Sequence, residues 1–162
     1  MALIRPCGAN ERDAILAVVN AAAEAYRGVI PADRWHDPYM SHAEVDAEMG
    51  DGVAFWGYEA DDALVGVMGL QPIAEVELIR HAYVLPGQQG RGVGSAILRH
   101  LCAVSVRPML VGTWAAAEWA IHFYQRNGFA LVSEAEKDEL LRRYWTIPER
   151  QIETSVVLTR GV

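Results

Sequence analysis

The chain has 162 residues, 52% hydrophobic and 22% charged, enough for one well-buried domain and short for two. Fourteen Lys and Arg against 21 Asp and Glu leave a formal charge of −7, which argues against nucleic acid as a partner, since affinity for phosphate backbones comes from clustered cations. No apolar stretch approaches the ~20 residues of a membrane span, and polar residues follow Leu3 and Ile4 too soon for a signal-peptide core. Cys7 and Cys102 lack metal-ligand or redox spacing, so the expected protein is cytoplasmic, without metal or membrane partner.

Residues 2–5 read as a first strand, after which Asn10 is placed to cap a helix through Ala25 with Asp13 at its third position. Pro, Gly, Asp and aromatics without period make residues 26–40 a loop, and Ser41 with Glu44 has capping-box spacing for a short helix to about Met49. Strands at 53–59 and 63–70 meet at Asp61-Asp62, residues that tolerate turn angles, and a third antiparallel strand at 76–85 follows the break expected at Pro72. A helix then ends near Ala103. Next come a buried strand at 109–113, a helix at 115–127 closed by Gly128, a strand at 129–132, a polar helix at 134–144 and an alternating final strand at 152–159.

The stretch around which these elements are organised is Gln88-Gln89-Gly90-Arg91-Gly92-Val93-Gly94-Ser95, between a strand and a helix. Glycines at alternate positions remove the Cβ atoms that keep a ligand from the backbone, so successive N–H groups at a helix start can converge on phosphate. No Gly-Lys-Ser/Thr ending is present, which excludes a nucleotide-triphosphate loop. The acid that a dinucleotide fingerprint needs about 20 residues on is also missing, since residues 108–114 read Pro-Met-Leu-Val-Gly-Thr-Trp.

Gln89-Gly90-Arg91-Gly92-Val93-Gly94, led in by Tyr83-Val84-Leu85-Pro86, resembles the acyl-CoA loop of the GNAT superfamily of N-acetyltransferases. Ala120-Ile121-His122-Phe123-Tyr124-Gln125-Arg126-Asn127-Gly128-Phe129 resembles its second hallmark, in the right order. The resemblance implies a single α/β (α+β) domain over residues 1–162, with a mixed, mostly antiparallel sheet of about seven strands, splayed between the fourth and fifth and flanked by helices. It implies acetyl-CoA as co-substrate and direct attack by an amine in a ternary complex. Backbone groups of Ala82, Tyr83 and Val84 would bind the pantetheine arm, the amides of Gln89, Gly90, Arg91, Gly92, Val93 and Gly94 the pyrophosphate, and Tyr124 would protonate the departing thiolate. Ser95 reads equally as a helix-start residue or a phosphate donor.

Two positions depart from the family pattern: Ala117 stands where many relatives carry Asn, and Leu78 where the usual acid lies. Glu77 is one place off, and a bulge before Val84 would restore its face, which makes it the expected proton acceptor through water. His81, as an imidazole, competes for that role; it and Arg80, suited to a substrate carboxylate, are candidate substrate contacts. Trp35 and Tyr39 belong to the aromatic loop expected to cover a small-molecule amine. A non-catalytic acyl-CoA-binding domain and a protein N-acetyltransferase are the alternatives. The final strand and the Trp145 region are candidate homodimer surfaces.

Overall fold

The structure, a computed structural model, describes residues 2–161. Seven strands form one sheet in the order β1-β2-β3-β4-β5-β7-β6, antiparallel throughout except for the parallel pair β4 and β5. β1 (Ala2–Pro6) is the edge. β2 (Ala54–Ala60) and β3 (Ala63–Ile73) join through Asp61 and Asp62, whose φ angles of 52° and 62° give the two-residue turn that matches strand twist. Pro72 does not break β3 as expected. It pairs with Glu77 of β4 (Val76–Val84), beyond Leu70, the last β3 residue that β2 covers, so its missing N–H is tolerated.

Alternation along β3 splits the core between two faces. Val67 packs with Ile15, Val18, Val19, Val45 and Phe55 under α1 (Arg12–Ala22) and α2 (His42–Gly50). Its neighbour Met68 packs on the other face with Ile97, Leu98, Leu101 and Tyr124, from α3 (Val93–Val104) and α4 (Glu118–Arg126). The Ser41–Glu44 capping box forms as expected, with reciprocal bonds of 3.1 Å. Asn10 does not cap α1: a 3₁₀ turn over Ala9–Glu11 precedes it, and the Glu11 carboxylate accepts from the Gly8 N–H at 2.9 Å.

β5 (Met109–Trp114) leads through a turn at Ala115 and Ala116 to α4, which therefore starts later than the apolar pattern suggested. β6 (Ala130–Leu131) is short, and α5 (Glu134–Tyr144) has the expected bounds. Ile152 lies in α6 (Glu149–Glu153), so β7 (Ser155–Arg160) begins later than its alternation suggested. Buried Lys137 of α5 donates from Nζ to the Ile152 carbonyl at 2.8 Å, tying the two helices together. β7 is flanked by β5 and, at Leu158 and Thr159, by β6, and the Trp145 ring packs toward Gly112. Among the described residues no helix is long and apolar enough to cross a membrane, and no cluster of three metal-ligating side chains occurs.

Candidate active site

β4 and β5 pair only at Glu77–Met109, Leu78–Leu110 and Ile79–Val111. Beyond Ile79 the strands separate, leaving backbone edges unpaired on both sides of a gap. Opposite Met68, β4 spends two residues, His81 and Ala82, where β3 spends one, because Val67 pairs with Tyr83 and Gly69 with Arg80. This bulge adds twist where the strands part, and His81 takes a φ of +54° to make it. Gly69 makes room: a Cβ there would stand 2.9 Å from the Arg80 carbonyl oxygen.

The gap opens into a cavity of about 590 Å³ that runs from the Gly-rich loop to the aromatic loop after α1. Gly90 and Gly92 have φ angles of +80° and +77°, and nothing lies within 4 Å of a Cβ built on either. Gly92 is the N-cap of α3 and the first amide bonded back to it is that of Ala96, at 2.9 Å, so the amides of Val93, Gly94 and Ser95 remain directed outward for an anion. The Gln89 side chain donates to the Val84 carbonyl at 3.2 Å, fastening the loop to its strand. A cradle with open space above two left-handed glycines, next to a strand gap with free edges, fits a pyrophosphate and an extended pantetheine arm.

The cavity wall includes Ala82, Tyr83, Val84, Gln89, Gly90, Gly92, Val93, Gly94 and Ser95. Arg91 is exposed and is not part of that wall. The Ser95 hydroxyl accepts from Asn127 Nδ2 at 3.2 Å, which leaves its own proton for a ligand. Sequence reasoning missed Gln88, Trp119 and Arg126, which also line the cavity.

Tyr124 is held from α4 by the helix end. The amides of Gly128 and Phe129 bond the carbonyls of Gln125 and Tyr124 at 3.2 and 3.0 Å, a Schellman closure in which Gly128 takes a φ of +89°. The Phe129 ring then packs on Tyr124 at 5.7 Å, and burial, reinforced by Tyr26, pushes the Tyr124 hydroxyl pKa well above its ordinary value. That phenol keeps its proton at neutral pH. Ala117, where an Asn side chain was missing from the pattern, is buried at the start of α4.

The far end of the cavity is aromatic. Tyr26 stacks with Tyr39 at 6.5 Å and meets Tyr83 and Trp119 at 6.2 and 5.4 Å. Burial raises the Tyr26 hydroxyl to about 12, with Tyr39 adding to the rise and Thr113 opposing it. Tyr39 faces the cavity as expected, whereas Trp35 stands behind it, 5.3 Å from the Tyr39 ring and under the Arg27 guanidinium. Trp35 is therefore a support for the wall. The segment around α5 and α6 contributes Trp145, Ile147 and Gln151, contacts that the polar helical pattern alone did not reveal.

Glu77 is not brought to this cavity. It sits at the start of β4, away from the Gly-rich loop, where its carboxylate accepts from Ser105 Oγ at 2.7 Å; the bulge lies at His81 and Ala82 and leaves Glu77 bonded beside the end of α3. Arg80 and His81 do reach the wall. The Arg80 fork is committed, donating to Gln71 Oε1 at 3.1 Å and Glu48 Oε1 at 3.2 Å, so it braces β4 instead of offering a free carboxylate receptor. Glu48 Oε1 also lies 3.0 Å from His81 Nε2. No sequence spacing pointed to Glu48, since only the packing of α2 over the bulge brings it there.

The family described as Acetyltransferase (GNAT) domain matches residues 51–131, from β2 through the acyl-CoA loop to β6. The chain belongs to the GNAT acetyltransferase family. Peptidyl-lysine N-acetyltransferase YiaC of Escherichia coli K12 is 27% identical over 82% of this chain and 80% of its own. The PaiA N-acetyltransferase of Thermoplasma acidophilum, solved with coenzyme A, superposes with a TM-score of 0.71 at 14% identity over 100% of this chain and 99% of that one. The ribosomal-protein-S18-alanine N-acetyltransferase of E. coli gives a TM-score of 0.69 at 15% identity, covering 99% and 93%. This GNAT protein is an acetyl-CoA-dependent N-acetyltransferase with the seven-stranded, splayed sheet of that fold.

Proposed function

We propose that this GNAT enzyme acetylates a primary amine on a small molecule, by direct attack on acetyl-CoA in a ternary complex in the cytoplasm. The observation that carries the reading is the aromatic end of the cavity, where Tyr26, Tyr39, Tyr83 and Trp119 pack on one another and close over β4. Such a wall desolvates a compact amine and attracts its ammonium through the ring faces before deprotonation. In this reading the amides of Gln89, Gly90, Gly92, Val93 and Gly94 hold the pyrophosphate. Backbone groups at Ala82 to Val84 that face the gap hold the pantetheine and polarise the thioester carbonyl. Nitrogen bonds to the acyl carbon, the carbon–sulfur bond then breaks, and Tyr124 supplies the proton that the thiolate takes.

Acetylation of a protein lysine is the second reading, supported by the 27% identity to a peptidyl-lysine N-acetyltransferase, because a slim lysine side chain also suits an aromatic channel. Thiol release from acetyl-CoA, measured with arylalkylamines, polyamines and lysine peptides, separates the readings. At least tenfold higher kcat/KM for a small amine is expected. A preference for peptides overturns the small-molecule assignment, and coenzyme A binding without thiol release from any acceptor supports a non-catalytic acyl-CoA binder.

A further inference from the structure

We propose that His81 is the base that removes the acceptor's ammonium proton and that Glu48 is the positioning residue that sets its tautomer. The proposal rests on the acetyl-transfer reading above and assigns the proton path within it.

Elimination comes first. The titratable side chains on the cavity wall are four tyrosines, Arg80, Arg126 and His81, with no carboxylate and no lysine among the described residues that form it. The arginines have no lone pair to offer at working pH, and the tyrosines hold their protons there; burial pushes Tyr26, Tyr83 and Tyr124 further in that direction. Glu77 is engaged by Ser105 outside the wall. Among the described residues of the wall, His81 is the side chain that offers a basic nitrogen lone pair.

Geometry then says which nitrogen is available. An ionised carboxylate only accepts, so the 3.0 Å contact between His81 Nε2 and Glu48 Oε1 requires the proton on Nε2 and leaves the lone pair on Nδ1. No described residue bonds Nδ1. Glu48 is held ionised: burial alone would raise its pKa, but the hydrogen bond from His81, with the positive charge of Arg80 beside it, outweighs that and lowers it. The groups around the imidazole are Glu48 of α2, Arg80 of β4 with Gln71 of β3 behind it, and the Phe55 ring of β2 stacked at 6.1 Å; Tyr39 and Tyr83 line the same cavity.

Backbone conformation points the same way. Among the described residues four non-glycine positions have positive φ; Asp61, Asp62 and Ala74 lie in turns, and only His81 lies within a strand. A strained residue inside a strand persists where its surroundings over-determine it. Here the residue so held is one that lines the cavity, beside Ala82.

The protons balance. His81 Nδ1 takes one proton from the ammonium and passes it to solvent. After the carbon–nitrogen bond forms, nitrogen loses its second proton as the carbon–sulfur bond breaks, and the thiolate gains one from Tyr124, which the second proton replaces through water. One proton is released per turnover.

The test combines kinetics with an acceptor-free measurement. The pH profile of kcat would be recorded for the parent, His81→Gln and Glu48→Gln, with 2-phenylethylamine, spermidine and Nα-acetyl-lysine as acceptors. His81→Gln is expected to lower kcat about 10²–10⁴-fold and abolish the acid limb, with the KM for acetyl-CoA unchanged. Glu48→Gln should lower kcat less and displace the limb, with the fold retained in a thermal melt. Long-range ¹H–¹⁵N NMR of the imidazoles, with His81 assigned by its loss in His81→Gln, should show the Nε2–H tautomer in the parent and a tautomer mixture in Glu48→Gln. A retained acid limb in His81→Gln, or an Nδ1–H tautomer in the parent, overturns the proposal while leaving acetyl transfer intact. Absence of thiol release from every acceptor overturns the acetyl-transfer reading and this proposal with it.

Discussion

Gly69 faces Arg80 across β3 and β4 so closely that a Cβ on Gly69 would stand 2.9 Å from the Arg80 carbonyl oxygen and 2.8 Å from Val53 Cγ1. Because one of those obstacles is backbone, the strain of adding a methyl cannot be relieved by a rotamer change. Gly69→Ala should push the Arg80–His81 bulge away from β3, destabilising the protein by about 1–3 kcal/mol. Chemical denaturation reports the stability loss, and kcat/KM for the acceptor should fall as His81 moves. A variant with parental stability and parental kcat/KM would show that the bulge has room to spare.

A second prediction concerns the phosphate cradle. Gly92 has a φ of +77° and only open space beyond its Cβ position, so a side chain there would occupy the ligand's place without clashing with the protein. Gly92→Asp should therefore keep the fold, at about 1–2 kcal/mol for an L residue in the left-handed region, and abolish coenzyme A binding, since its carboxylate would oppose the pyrophosphate. Calorimetric titration with coenzyme A, beside a thermal melt, checks both halves.

Tyr124→Phe removes a proton donor and little packing, because the ring contacts with Phe123 and Phe129 at 5.1 and 5.7 Å remain available. The expected outcome is a kcat lower by about 10²–10⁴-fold with the acetyl-CoA KM within about twofold of the parent. Parental turnover would make Tyr124 a core residue only.

Trp35 and Tyr39 should separate in kinetics although they adjoin in space. Tyr39 lines the cavity and Trp35 reaches it only through the Tyr39 ring, 5.3 Å away. Tyr39→Ala should raise the acceptor KM strongly and the acetyl-CoA KM little; Trp35→Ala should raise the acceptor KM less, and mainly by loosening Tyr39. Equal effects on both substrates would move this loop to the donor side.

The legible parts of the sequence were those where local backbone need dictates residue type. Asp61-Asp62, the Ser41–Glu44 box, the alternate glycines of the cradle and Gly128 after α4 each announce a conformation that few other residues adopt. The polar helix α5 was legible as well, since nothing competes with its 3.6-residue pattern. The choice between Glu77 and His81 as base was not legible. A bulge in β4 was foreseeable, but its position at His81 and Ala82 depends on Gly69 across the sheet, and the carboxylate partner comes from α2, 33 residues earlier in the chain. Glu77 looked suitable by register counting and was claimed instead by Ser105, a pairing between distant segments that no spacing rule encodes.

The last prediction concerns acid stability and the chain's first turn. Arg5 of β1 donates to Glu11 through two nitrogens at 2.8 Å, and the same carboxylate accepts from the Gly8 N–H at 2.9 Å. The Arg5 hydrogen bond first and the Gly8 hydrogen bond second hold the Glu11 pKa down to about 2, against a smaller opposing effect of burial. An unfolded glutamate titrates near ~4.3, so the folded state binds its proton more weakly than the unfolded state does. The stabilisation is therefore fully present above about pH 5 and is lost as pH falls toward 2. Glu11→Gln should lower the urea midpoint at pH 7, and the gap between parent and variant should close progressively between pH 5 and 2. Arg5 keeps a second partner in Glu59 at 3.0 Å, and the pair is about a quarter exposed, so the gap at pH 7 should be modest and shrink with added salt. A gap of the same size at pH 2.5 would mean that Glu11 stabilises the turn through hydrogen-bond geometry rather than charge.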